Sequence, residues 1–288
     1  MIWLTLSILS VLALAAAELT QQHLLNLEDP FDPRTSSVLT FLFQSFLTVP
    51  FIFILGIEKQ IFSIFNLAIF PRVLLVTFIS SIAIVFYLKS FKVKNISISS
   101  IFISFSVIVA TFLGIIFFSE SISYLKFLGI ALILFAIIIA NYKNIILEKN
   151  HFYGLVAGLI FGVCYTLDKS IVTHVHPLVY IFWAFFMVAV WGFLVGSKSV
   201  VKALRNKKLK AYAPIVVSGT GYFLYNFMTF TAYRFGGEVG RVDAINNSHI
   251  FLIILFEFFI LKNTKGTAKK LFSAALAIAG IFILGIAK

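Results

Sequence analysis

Apolar runs close to twenty residues long recur along this chain, at 2–22, 38–57, 68–88, 96–118, 124–142, 152–167, 178–196, 212–233, 244–261 and 271–287. A helix rises about 1.5 Å per residue, so each run matches a bilayer core about 30 Å thick. The runs show no period-two alternation, which argues for helices and against barrel strands. The pattern predicts an all-α membrane protein with ten transmembrane helices. The longest connections, 26–37 and 197–211, leave no room for a water-soluble domain.

Polar residues interrupt these runs at helical spacing. In the first span Ser7, Val11, Leu14, Glu18, Gln21, Gln22 and Leu25 share one face, which turns polar toward one end. An ionisable group at a helix centre costs about 2.5–3.5 kcal/mol, so Glu18 faces a protein-lined wet cavity or lies at the bilayer interface. In the eighth span Ser218, Tyr222, Tyr225, Asn226, Thr229 and Tyr233 form a stripe too polar for lipid. Tyr233 reads as interfacial aromatic belt, and Tyr222, Tyr225 and Asn226 as cavity lining. The ninth span carries Asp243, Asn246, His249 and Glu257 on one side. Glu257, between Phe256 and Phe258, needs a cationic partner or its own proton, or it belongs to a buried pair that only locks helices together. His249 reads as a satisfied hydrogen-bond donor or as a relay. The sixth span presents Gly158, Phe161, Gly162, Tyr165, Asp168 and Lys169. Its glycines read as close helix packing. Asp168 and Lys169 read as a solvated terminal pair, or Asp168 repeats Glu18. Ser97, Ser100 and Ser104 form a polar line with no assigned chemistry.

Composition agrees with the pattern: 61% of residues are hydrophobic and 12% charged, with a mean hydropathy of +1.05. The net charge of +12 suits anionic headgroups rather than nucleic acid, because no basic stretch is interleaved with aromatics. The segment 198–210 reads as a membrane-surface stretch. Cys164 stands alone, so neither a disulfide nor a cysteine metal site is expected. His174 and His176 lack a third ligand, and no cofactor motif or convergent nucleophile is present. A metal, a cofactor and an enzymatic activity are therefore not expected. The first run has no basic residue before it and exceeds a signal core in length, so it reads as a retained span.

The two halves of the chain resemble each other. Trp3 to Glu18 matches Tyr153 to Asp168 in spacing, and Pro33 and Pro177 each precede the second span of a half. Gly129, Leu132 and Ala136 pair with Ser273, Leu276 and Gly280. Five spans per half is odd, so two repeats must lie in opposite orientations, with a substrate site near the midplane. The repeats are expected over 1–145 and 150–288.

The segment Phe117-Phe-Ser-Glu120-Ser-Ile-Ser-Tyr-Leu-Lys-Phe-Leu-Gly129-Ile-Ala-Leu-Ile133 resembles the EamA branch of the drug/metabolite transporter superfamily. Ser119 stands where that family has glycine, and Thr264 is near the place of the second-half glutamate. The resemblance implies a secondary transporter, often an exporter of small organic molecules, with a cavity lined by spans one, three, four, six, eight and nine. The candidate substrate or coupling residues are Glu18, Gln21, Gln22, Tyr165, Asp168, Tyr222, Tyr225, Asn226, Asn246, His249 and Glu257. The expected partners are a small-molecule substrate and the lipid bilayer, the expected state a monomer or homodimer, and the expected location a bacterial or archaeal plasma membrane. A flippase for a lipid-linked headgroup fits the same fold, and a membrane enzyme with Glu18 or Glu257 as general base is the third and weakest alternative. Most Lys and Arg residues fall in the odd-numbered connections, which the positive-inside rule places in the cytoplasm. The family resemblance implies cytoplasmic termini instead.

Overall fold

The structure is a computed structural model that describes the chain except residues 1, 27–30, 93–98, 100–101, 142–148, 207–208, 260–266 and 288. Among the described residues there are eleven α-helices and no strand. They are α1 (Ile2–Leu25), α2 (Pro33–Ile54), α3 (Phe70–Ser90), α4 (Phe105–Phe118), α5 (Tyr124–Asn141) and α6 (Lys149–Val172). The remainder are α7 (Pro177–Asn206), α8 (Ala213–Arg234), α9 (Val239–Asn247), α10 (His249–Phe259) and α11 (Thr267–Ile286). By length and composition α1, α2, α3, α6 and α7 can cross a membrane. The polar stripe lowers the mean hydropathy of α8.

Proline sets several helix starts. Pro33 opens α2 behind Asp32, whose carboxylate accepts the Arg34 and Thr35 amides at 3.0 and 3.2 Å. Pro177 opens α7, and Pro71 and Pro214 lie in the first turns of α3 and α8. Pro71 and Pro214 are thus a second proline pair at matching places in the two halves.

Two expectations need correction. The ninth run is two helices, broken at Ser248, where the Ser248 amide returns to the Ile245 carbonyl. The Asn247 side chain donates to the Asp243 carbonyl at 2.9 Å and the His249 ring reaches the Asn246 carbonyl, so side chains take up carbonyls where α9 ends. The seventh helix runs past its expected end to Asn206 and bends at Gly196, against which the Arg34 side chain packs. The expected surface stretch is therefore partly helix.

Helices pair across the halves: α1 with α8, α3 with α6, α2 with α7, and α5 with α11, while α4 packs on α6 and α9, and α9 on α1. Exchanging the halves maps this pattern onto itself. The contact between α5 and α11 is reciprocal. A Cβ on Gly129 would meet the Gly280 carbonyl and Leu284, and one on Gly280 the Gly129 carbonyl and Ile133. This contact brings Gly129 and Gly280 together at the α5–α11 crossing. Gly285 near the end of α11 touches Leu4 near the start of α1, so both chain ends lie at one end of the bundle.

Candidate functional site

Between the halves lies a partly open cavity with about 100 Å³ of free volume. Carboxyl groups enter it from α1 (Glu18), α6 (Asp168) and α9 (Asp243). Aromatic rings supply much of the remaining wall, with Phe161 and Tyr165 stacked at 5.9 Å and Phe41 and Phe185 at 5.2 Å.

Glu18 is buried at the centre of a hydrogen-bond chain. Its Oε1 accepts the Tyr87 hydroxyl of α3, and its Oε2 is 2.7 Å from Nε2 of His249. Nδ1 of His249 is 2.9 Å from the Asn246 carbonyl oxygen, which can only accept, so Nδ1 carries a proton. The break at Ser248 matters here, since it lets His249 cap a turn and still face Glu18. Asn246 continues the chain, with its oxygen accepting from Ser10 at 2.6 Å. Its amide donates to Thr229 at 3.2 Å and Tyr225 at 3.5 Å. Asn226 donates to Gln44 at 2.9 Å and to its own helix.

Of the expected residues, Glu18, Tyr165, Asp168, Tyr222, Tyr225, Asn226, Asn246 and His249 line this cavity. Gln21 does not: it is buried and donates to Ser36, holding α1 against α2. Gln22 is half-buried and lies outside the lining. Glu257 is on α10, but its side chain lies outside the described residues, as do Thr264, Ser97 and Ser100. Ser104 donates to Asn247 at 2.9 Å. Tyr233 is buried at 2% exposure against Phe230 and so is not an interfacial belt residue. Asp168 and Lys169 are not a solvated pair. Both are buried: Asp168 accepts the Tyr180 hydroxyl, while Lys169 turns away to Glu120 at 2.8 Å.

Sequence reading missed Tyr87, Tyr180 and the α2 and α7 walls, because single tyrosines in apolar runs look like packing. Asp243, on the polar side of the ninth run, also lines the cavity.

A second polar cluster closes the end of the bundle that holds both termini. The buried Glu120 receives Lys169 and the Val239 amide, at 2.8 and 2.7 Å, and Lys126 at 3.4 Å. Glu238 pairs with Lys126 at 2.6 Å and Arg241 at 3.0 Å. Arg241 also donates to the Ala287 carbonyl at 2.8 Å and to Ser121 at 2.9 Å. Most of these bonds join one half to the other.

The EamA-like transporter family matches residues 1–142 and again residues 149–286. The chain belongs to this family. It is thus a multi-pass integral membrane transporter of the drug/metabolite transporter superfamily, built from two repeats. No curated protein matches it significantly in sequence. One solved structure, described only as the crystal structure of a protein, is similar over 98% of this chain and 95% of its own. Its TM-score is 0.73 at 12% identity, so the likeness concerns the fold alone. The family's glycine before Glu120 is explained by the turn there, since Ser119 has φ 50° and ψ 40°.

Proposed function

We infer that this chain is a secondary active transporter, exporting a small organic metabolite, amino acid or drug-like compound by alternating access coupled to protons. The observation that carries this reading is the buried Glu18 carboxyl, held between Tyr87 and His249 in a cavity walled by both halves. With Nδ1 already protonated, Nε2 and Oε2 share one proton in the neutral pair. Gain of a second proton makes the pair cationic and loss makes it anionic, so its charge follows the protonation of whichever side is open. Tyr165, Tyr222 and Tyr225 would hold the apolar body of a substrate, and Asn226 and Asn246 its polar groups.

In this reading α9 and α10 make one broken crossing, giving ten in all. The repeats 1–145 and 150–288 lie in opposite orientations in a bacterial or archaeal plasma membrane. The ionic cluster at the termini end is the contact that must part when that end opens.

Proteoliposomes with and without a pH gradient test the reading. Wild-type protein should accumulate at least one soluble compound from a labelled metabolite library only with the gradient. Glu18→Gln keeps the shape and removes the charge change. It should lose gradient-driven accumulation, stay folded, and keep part of the exchange of a neutral substrate. Full gradient-driven transport by Glu18→Gln would overturn coupling at this residue. Lipid scrambling or a covalently altered product would overturn solute transport itself.

A further inference from the structure

Resting on this transport reading, we propose that the cavity takes an organic cation with an aromatic or apolar body, which displaces a proton held by Asp168 or Asp243. The charge inventory of the wall points this way. Among the described residues three carboxyls line the cavity and neither Lys nor Arg does. Glu18 has His249 as counter-group. Asp168 and Asp243 have no cation within ion-pair distance among the described residues. Both oxygens of Asp243 accept from neutral donors, Ser106 at 2.7 Å and Asn247 at 2.9 Å. Asp168 accepts the Tyr180 phenol, and its neighbour Lys169 is committed to Glu120 and to the Phe118 ring, 4.9 Å away.

A buried carboxylate without a counter-charge is strongly disfavoured, so each of these groups holds either a proton or a cation. An anionic substrate would add charge of the wrong sign. An organic cation supplies the missing counter-charge, and ring faces attract it further. Phe161, Tyr165, Phe185 and Phe230 offer such surfaces. The Tyr222 and Tyr87 hydroxyls also face each other on this wall, and phenol lone pairs suit a positive group.

Few other titratable groups face the two acids. Asp168 is faced by Tyr180 of α7, Tyr233 of α8 and Cys164 of its own helix. Asp243 is faced by Ser106 of α4, Tyr165 of α6, Tyr225 and Tyr233 of α8, and the ring of His249. Tyrosine and cysteine are ordinarily neutral at pH 7. The exchange is balanced: as a cation enters, the O–H bond of one aspartic acid breaks, its proton leaves to the open side, and the carboxylate stays as counter-ion. No electron moves.

The test uses the full chain in lipid nanodiscs and isothermal calorimetry in buffers of different ionisation enthalpy. The probes are trimethyl(2-phenylethyl)ammonium, which cannot lose its charge, and phenylacetate. The ammonium should bind with a buffer-dependent heat that reports proton release, and phenylacetate should not bind. Asp168→Asn and Asp243→Asn keep size and hydrogen bonding, and each should weaken ammonium binding at least about tenfold and reduce the proton release. If neither variant folds, charge preference and proton release in the wild type decide. Phenylacetate binding as tightly as the ammonium would overturn the proposal. So would absence of ammonium binding at millimolar concentration, or ammonium binding without proton release. Ammonium binding without gradient-driven transport of any compound would defeat the transport reading and leave this one standing. Accumulation of anions alone would do the reverse.

Discussion

Ser119 is the non-glycine residue with positive φ among the described residues, and its position explains the polar cluster that follows. The left-handed turn brings the Ser119 and Glu120 amides back to the Gly114 carbonyl. The Glu120 carboxylate then lies against Gly114, where a Cβ would sit 2.5 Å from its Oε2. An L-residue in this conformation costs about 1–2 kcal/mol, and glycine relieves most of it while giving some back as unfolded-chain entropy. Ser119→Gly is therefore expected to stabilise the protein by about 0.5–1 kcal/mol. Thermal unfolding in detergent reads this, and a lowered midpoint would show that the serine hydroxyl contributes more than the backbone loses. The same residue-level logic holds at His249, where a carbonyl acceptor on Nδ1 fixes which nitrogen faces Glu18.

Helices meet here through small residues. Lipid tails are as apolar as leucine, so helix association in a bilayer depends on close van der Waals contact and interhelical hydrogen bonds. At Gly158 of α6 a Cβ would sit 2.5 Å from the Ile103 carbonyl oxygen, just before α4. Gly158→Val must push α4 and α6 apart, and a loss of about 1–3 kcal/mol is expected from overpacking. Unfolding in detergent should show it as a lowered midpoint, and an unchanged midpoint would mean that the two helices are not in contact there. The break between α9 and α10 acts at the same scale. It aims Asn246 toward α1 and α8 while turning His249 onto Glu18.

Across the whole molecule the two halves are joined at the termini end by Glu120, Lys126, Lys169, Glu238 and Arg241. Glu238 sits in the connection before α9. Burial pushes its carboxyl up, but hydrogen bonds from Lys126 and Ser121, with the charges of Lys126 and Arg241, outweigh burial and hold it below the ordinary glutamate value. A carboxyl whose value is lower in the folded state adds stability above its unfolded value, about 4.3. That contribution is lost as pH falls from there through the folded value. Acid unfolding curves should therefore lose this component in Glu238→Gln, which should be less stable near neutral pH and less sensitive to acid below about pH 4.3. Parallel acid curves for the two proteins would show that the cluster does not tie the halves together.

The sequence by itself determined where most of the helices lie and which faces carry polar groups. Both follow from one-dimensional rules: a bilayer sets run length, and 3.6 residues per turn sets the face. Pro33 and Pro177 and the stripe from Tyr222 to Asn226 were legible on those terms, while periodicity alone leaves Glu18 between a cavity and the interface. Which helix each face meets was not. Glu18 and His249 are 231 positions apart, and nothing in either run specifies the other. The commitment of Lys169 to Glu120, the Tyr180 partner of Asp168, the Ser248 break and the added walls from α2 and α7 belong to the same class. Periodicity orients a side chain around its own axis. The neighbour it reaches is decided only when glycine contacts and buried polar groups across both halves are satisfied together.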